Sequence, residues 1–188
     1  FHYTVKVSKK RKYTLLKQKD ASHAETAAHN REKQYLLKEG EVILPLVDLG
    51  VFTKEGRVVH SMYDKFRQIN RFTELVRDGL DAAALTQLRV LDFGCGKSYL
   101  TFILYHYLVH VRNMDAEITG LDLKADVIQK CNALAEKYGY EKLHFEVGDI
   151  EGFSCSVPPD MVITLHACDT ATDAALFQAV RWQCRLIY

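Results

Sequence analysis

The sequence predicts an α/β fold in which helices flank a parallel sheet, with a helical extension before it. From residue 88 onward, apolar strand-like runs alternate with helix-like runs of roughly 10–15 residues, which is typical of βαβ units. The first of these strands leads directly into a loop with two glycines. The chain of 188 residues is 48% hydrophobic, enough for one good core. We therefore expect one α/β domain with an accessory segment.

Charge is unevenly distributed, although the formal net charge is only +1. Residues 1–19 contain seven Lys or Arg and no carboxylate, so this basic arm can neutralise the phosphates of RNA or DNA. A solvated arm or the edge of a strand explains the pattern equally well, because Tyr3, Val5 and Tyr13 are interleaved with the charges. RNA and protein remain open as partners, and no membrane is expected.

The five cysteines are widely spaced, with no CxxC pair and no His ligands at zinc-like offsets. We interpret them as reduced thiols of a cytoplasmic protein without a metal site. No run approaches the ~18 apolar residues of a membrane helix.

The extension carries three helical signals. Residues 25–38 are rich in helix formers, and a short apolar helix is expected at 42–49. Residues 61–77 have apolar side chains at helical spacing, which predicts an amphipathic helix with Ser61 as its N-cap and Gly79 beyond its end.

The second half of the chain alternates between strands and helices. The predicted strands are 88–93, 116–123, 142–149 and 159–167, the predicted helices are 98–111, 125–139 and 171–182, and residues 184–188 begin a fifth strand. The predicted organisation is a basic arm (1–24), a helical extension (25–86) and the sheet domain (87–188), which we expect to be truncated after its fourth or fifth strand.

The stretch "VLDFGCGKSYL" places a glycine loop between a strand and a helix. Gly94 and Gly96 allow the backbone to approach a ligand closely at the carboxyl edge of the sheet. Asp92, two residues before the loop, would repel a pyrophosphate but attract the ammonium group of an amino-acid ligand. Tyr99 occupies the place of the third glycine of a dinucleotide loop. The loop therefore favours a ligand other than a dinucleotide.

Acidic residues also end the next two strands. Asp122 is placed to accept hydrogen bonds from both hydroxyls of a ribose, and Asp149 from the amino group of adenine. Ile150 would pack on the adenine ring. Because the carboxyl ends of parallel strands share one edge, these acids are expected to face one crevice.

Together "VLDFGCGKSYL", "GLDL", "VGDI" and "PDMVITLHACD" resemble the motifs of class I S-adenosylmethionine-dependent methyltransferases. The resemblance implies S-adenosyl-L-methionine as cofactor. It assigns Asp92, Gly94 and Gly96 to the methionine part, Asp122 to the ribose, and Asp149 with Ile150 to the adenine.

More narrowly, "HNREKQYLL", "KFRQINRF" and "LHACDTATD" resemble the methyltransferase part of a protein with a glutathione-transferase-like C-terminal domain. That resemblance implies that the "KFRQINRF" helix folds over the cofactor. Lys65 and Gln68 are then candidates to bind the cofactor carboxylate or a substrate phosphate, although an ordinary surface helix explains them nearly as well.

The candidate catalytic residues follow the fourth strand. His166 is placed to orient or deprotonate an acceptor, or to be a structural residue at the strand end. Asp169 is a second candidate, and a cap for the next helix is its other interpretation. The expected activity is methyl transfer, to RNA in preference to protein; a non-catalytic binding module and an NAD-dependent oxidoreductase are the alternatives.

Overall fold

The computed structural model describes residues 2–7, 13–18, 35–165 and 170–188. Contacts divide the chain into two compact units, Phe1–Gln34 and Tyr35–Tyr188. In the first unit, strands β1 (His2–Val7) and β2 (Tyr13–Gln18) pair antiparallel, with Val5 opposite Leu15. The helix predicted at 25–38 lies largely outside the described residues, and residues 35–38 are not helical.

The second unit begins with short elements that lead into a long helix. Helix α1 (Leu44–Asp48) has a proline at its start, where the missing N–H costs nothing, and buries Pro45 and Leu46. A 3-10 turn (His60–Met62) precedes helix α2 (Tyr63–Ala83). The short apolar helix and the amphipathic helix predicted from the sequence are thus both present.

The ends of α2 differ from the prediction. Ser61 lies within the 3-10 turn and does not cap the helix. Gly79 lies inside the helix, at a point where a Cβ atom would collide with the hydroxyl of Tyr188. That hydroxyl donates a hydrogen bond to the Leu75 carbonyl at 3.0 Å. The glycine therefore makes room for a distant tyrosine, and it does not end the helix.

A five-stranded parallel sheet forms the centre of the second unit. Its strands lie in the order β5-β4-β3-β6-β7 and confirm the predicted fold class. Their bounds are β3 (Gln87–Phe93), β4 (Asp115–Asp122), β5 (Leu143–Val147), β6 (Met161–Ile163) and β7 (Leu186–Ile187). The helices between them are α3 (Tyr99–Tyr105), continued by a π-helical segment (His106–Val111), α4 (Ala125–Lys137) and α5 (Thr170–Arg181).

Two apolar clusters hold the sheet between its helices. The larger joins buried residues of α2, α3 and α4 to one face of the sheet, including Phe66, Ile103 and Ile118. The smaller places Ala175 and Ala179 of α5 against the other face. Among the described helices, none combines the length and apolar character needed to cross a membrane.

The strand order reverses direction at β3. The chain moves from β3 outward to β4 and β5, and then returns to place β6 on the other side of β3. In open parallel sheets, the crevice outside the carboxyl ends at such a reversal is the usual ligand site. Asp92 lies beside Gly120 of β4 and Ile163 of β6 in the register, so it stands at that point.

Candidate functional site

Asp92 is a buried carboxyl group at the end of the central strand, with only 2% of its surface exposed. Its Oδ2 accepts a hydrogen bond of 2.6 Å from the Thr101 hydroxyl of α3. Its Oδ1 is buried and has no partner among the described residues. Burial raises the pKa of Asp92 to about 7, with a smaller contribution from the charge of Asp122 and an opposing one from the Thr101 hydrogen bond.

The glycine loop bends sharply after Asp92. Gly94 and Gly96 have φ values of +67° and +54°, a region that glycine enters without strain, and Ser98 follows at +58°. The loop is fixed to the next strand by its backbone. The Cys95 N–H donates to the Leu121 carbonyl at 3.0 Å, and the Gly96 N–H donates to Asp122 Oδ2 at 2.9 Å.

Asp122 joins three parts of the crevice. Besides Gly96, its carboxylate accepts a hydrogen bond from the Lys124 N–H at 3.0 Å, and its carbonyl accepts one from the Gly148 N–H at 3.1 Å. The side chain is half-exposed. Since each carboxylate oxygen accepts two hydrogen bonds, both oxygens retain capacity for a ligand. The loop after β3 and the ends of β4 and β5 are thereby held together.

The end of β5 carries Asp149 and Ile150. Asp149 is exposed, and its Oδ1 accepts a hydrogen bond from the Gly152 N–H at 2.8 Å. Ile150 is 5% exposed and packs in the smaller apolar cluster with Leu121. The predicted contacts of these two residues with adenine stay predictions.

Helix α2 brings Lys65 to the start of α3. The Lys65 ammonium lies 6.0 Å from the centroid of the Tyr99 ring and donates to Gln68 Oε1 at 3.4 Å. Lys65 is half-buried and Gln68 is exposed. Within the described part of the chain, no carboxylate is within ion-pair distance of Lys65, whereas Arg67 pairs with Asp64. Among the described residues, Lys65 is therefore a cation near the start of α3 that has no acidic partner.

Both catalytic candidates, His166 and Asp169, lie outside the described residues. Their roles stay predictions. Helix α5 begins directly after them at Thr170.

Two threonines were missed by the sequence reasoning. Thr101 was assigned to an apolar helix, yet its hydroxyl binds Asp92. Thr164 follows β6, is 8% exposed, and its hydroxyl has no partner among the described residues. A polar residue within a buried apolar run was the only signal for either.

The cysteines beside the loop are not activated. Burial raises the pKa of Cys95 to about 12 and also raises the pKa of Cys131, so both remain neutral thiols at neutral pH. In the described residues, no three His, Cys, Asp or Glu side chains are grouped so as to hold a metal ion.

Comparison with known proteins identifies the fold's family. Residues 64–188 match the model of a methyltransferase domain family. The chain belongs to this methyltransferase family. The predicted class and its cofactor, S-adenosyl-L-methionine, are thereby confirmed. The match does not test the narrower resemblance to the branch with a glutathione-transferase-like domain, which stays a prediction.

One curated relative is the malonyl-[acyl-carrier protein] O-methyltransferase of Acetivibrio thermocellus, 28% identical over 103 residues. The match covers 54% of this chain and 34% of the relative, so the chain spans about a third of that protein's length.

Two solved structures are among those to which the chain is similar. A putative sarcosine dimethylglycine methyltransferase from Galdieria sulphuraria is 18% identical, with a TM-score of 0.46 over 60% of this chain and 42% of that one. A methyltransferase from Geobacter sulfurreducens, in complex with S-adenosyl-L-homocysteine, is 18% identical, with a TM-score of 0.40 over 55% and 42% of the two chains.

Proposed function

We propose that this chain is an active S-adenosylmethionine-dependent methyltransferase and that the crevice around Asp92 holds the methyl donor. The observation that carries the proposal is the buried Asp92 oxygen, which has no hydrogen-bond partner in the part of the chain that the structure describes. A buried polar atom of this kind is rare in folded proteins and calls for a ligand or water. The ammonium group of the donor's methionine part is a donor of the right charge for it.

The strand order fits the shape of the donor. Adenine at Asp149, ribose at Asp122 and methionine at Asp92 would follow neighbouring strand ends in the order β5, β4, β3. Gly94 and Gly96 themselves would add no side chain to the path between ribose and methionine. Lys65 would then pair with the methionine carboxylate, with Gln68 beside it.

S-adenosylmethionine supplies a methyl group on a positively charged sulfur. The transfer is an in-line displacement, so the protein's main tasks are to orient the acceptor and to exclude water. Among the candidates, His166 would orient the acceptor or take its proton, and Asp169 would support it or cap α5. Neither task requires a metal ligand from this chain.

Calorimetric titration with S-adenosyl-L-homocysteine tests the ribose assignment. Replacing Asp122 with alanine removes two charged hydrogen-bond acceptors, and we expect affinity to fall about ten- to a hundredfold. Asp126→Ala is the matched control, because Asp126 is an exposed aspartate on α4 that pairs with Lys130. Equal affinity of Asp122→Ala and the wild type would contradict the assignment.

We further propose that the acceptor is RNA. The support is the basic arm, with seven cations and no carboxylate in residues 1–19, and the exposed Tyr13 within it. Tyrosine side chains stack on the bases of single strands, while Lys and Arg neutralise their phosphates. We also propose that the protein is cytoplasmic and that it is related to the branch with a glutathione-transferase-like domain. Both proposals rest on the sequence alone.

Labelled methyl donor tests the acceptor on separate RNA and protein fractions. We expect RNA to be labelled, and binding to weaken with added salt. Removing four charges of the arm should reduce the slope of log affinity against log salt concentration by about three units (Lys9, Lys10, Arg11 and Lys12, each to Ala). The control removes four exposed cations of the second unit (Lys38, Lys54, Arg57 and Lys130). Label in protein or in a small carboxylic acid alone would overturn the RNA proposal and leave the donor site standing.

A further inference from the structure

Thr101 is a fully buried threonine of helix α3 whose hydroxyl is bonded to the central strand. It donates a hydrogen bond to Oδ2 of Asp92 at 2.6 Å, across the glycine loop that separates the two residues in the chain. Thr73 shows the arrangement that is usual for a buried helical threonine, since its hydroxyl donates to the Ile69 carbonyl of its own helix at 2.9 Å. Thr101 thus uses its hydroxyl proton on a group outside its helix.

This hydrogen bond distinguishes the two oxygens of Asp92. Oδ2 is bound to Thr101, whereas Oδ1 is buried and has no hydrogen-bond partner among the described residues. A carboxyl group rotates readily about its last bond, and this rotation exchanges the two oxygens. A hydroxyl at a fixed place on α3 holds one oxygen, so the other is the one that remains for a ligand.

Thr101 also acts on the charge of Asp92. A hydrogen bond of 2.6 Å from a hydroxyl is typical of a carboxylate acceptor and favours the ionised form. It opposes burial, which is the main cause that raises the pKa of Asp92 to about 7, and the smaller effect of the Asp122 charge on β4. The Cys95 thiol of the loop also faces Asp92 but is neutral, because burial raises its pKa to about 12.

A proton on Asp92 competes with the ammonium group of a ligand. Because Thr101 donates to Oδ2, a protonated Asp92 keeps this hydrogen bond only when its own proton lies on Oδ1. The ammonium needs the lone pairs of that same oxygen, and it is attracted more strongly by a carboxylate than by a neutral carboxyl. Binding therefore breaks the O–H bond of the carboxyl: the electron pair stays on Oδ1 and the proton leaves for the solvent.

We propose that Thr101 is a positioning residue of the donor site: it holds Oδ2 of Asp92, presents Oδ1 to the ammonium of the methionine part, and favours loss of the proton that competes for Oδ1. This inference rests on the proposed donor site. Thr101 acts on the donor only through Asp92, so its effect on affinity depends on pH. A residue that only packs α3 against the sheet would affect the affinity equally at every pH.

Calorimetric titration with S-adenosyl-L-homocysteine between pH 6 and pH 8.5 tests this role. The affinity of the wild type should rise with pH and level off above about pH 7, where Asp92 has lost its proton. Thr101→Val keeps the shape but removes the hydroxyl, which should raise the pKa of Asp92 by about one unit. The affinity of this variant should then be about tenfold below that of the wild type at pH 6 and within about twofold of it at pH 8.5.

Three further variants separate the hydroxyl from packing. Thr101→Ser keeps the hydroxyl and should keep the pH profile of the wild type. Thr101→Ala removes the hydroxyl by a second route if the valine variant fails to fold. Thr73→Val breaks a buried hydrogen bond of α2, so it should lower the melting temperature without moving the pH profile of binding.

Proton release provides an independent readout. Titrations at pH 8 in two buffers of different ionisation enthalpy should show about 0.1 proton released per ligand bound to the wild type and about 0.5 for Thr101→Val. An equal loss of affinity at every pH, or no loss in either hydroxyl-free variant, would overturn the role of Thr101 and leave the donor site standing. A wild type that binds no S-adenosyl-L-homocysteine at any pH would overturn the donor site itself.

Discussion

Replacing Asp92 with asparagine should stabilise the ligand-free protein at alkaline pH and weaken its binding of the methyl donor. Asparagine has the same shape and can still accept the hydrogen bond from Thr101. It differs in having no charge to bury. Raising the pKa of Asp92 from 3.8 to about 7 corresponds to about 4 kcal/mol against the ionised form in the folded state.

The sign of the pH dependence follows from the direction of that change. Between pH 3.8 and 7 the folded protein binds a proton on Asp92 that the unfolded chain has lost. The free energy of unfolding therefore falls as the pH rises through this interval, and the stabilisation present below pH 3.8 is gone above pH 7. From pH 5 to pH 8 the wild type should lose about 3 kcal/mol relative to Asp92→Asn.

Urea unfolding at pH 5 and pH 8 measures this difference directly. Calorimetry at pH 8 should show the opposite effect on ligand binding: affinity of Asp92→Asn for S-adenosyl-L-homocysteine should fall about ten- to a hundredfold, because the ammonium loses a charged partner. Asp126→Asn, an exposed control on α4, should change neither the pH dependence of the free energy of unfolding nor the affinity for S-adenosyl-L-homocysteine.

Two outcomes would refute the reasoning about Asp92. If the wild type and Asp92→Asn keep the same stability difference at pH 5 and pH 8, burial does not perturb the titration of this group. If the variant binds S-adenosyl-L-homocysteine as tightly as the wild type, the orphaned oxygen does not serve the ammonium.

Two further predictions concern the support of the site. Gly120→Ala should lower the free energy of unfolding by about 1–3 kcal/mol in a urea titration, because its Cβ would lie 2.6 Å from a ring carbon of Phe145. Gly148→Ala, whose Cβ would meet no atom closer than 3.8 Å, is the matched control, and equal losses in both would contradict the packing argument. Asn132→Ala should speed hydrogen exchange of the Phe145 amide on the edge strand β5. The Asn132 side chain accepts a hydrogen bond from the Phe145 N–H at 2.9 Å and donates one to the Phe145 carbonyl at 2.7 Å, and both would be lost. An unchanged exchange rate would show that the edge strand is held without Asn132.

The order of strands and helices in the sheet domain could be predicted because it depends on local patterns. Apolar runs, their lengths and the glycines between them mark the strands that end at Asp92 and Asp122, and parallel pairing brings such ends to one edge. The family resemblance rests on the same local motifs. This is why the fold follows from the sequence, together with the placement of Asp92 and Asp122 at one edge of the sheet.

Features that depend on distant partners could not be predicted. Gly79 looked like a helix stop, but its place is set by Tyr188, more than a hundred residues away. The helix expected at 98–111 changes to π-helical hydrogen bonding at His106, a shift that leaves no trace in the apolar periodicity. The hydroxyl of Thr101 acquires meaning only when helix α3 packs against the sheet and places it beside Asp92.

The central claim is that the crevice at the reversal of strand order binds a methyl donor and not a dinucleotide. Parallel calorimetric titrations of the wild-type chain with S-adenosyl-L-homocysteine and with NAD test it most directly. The account predicts one-to-one binding of S-adenosyl-L-homocysteine and no heat of binding with NAD, because the buried carboxyl of Asp92 attracts an ammonium and repels a pyrophosphate. Binding of NAD alone, or of neither ligand, would contradict it.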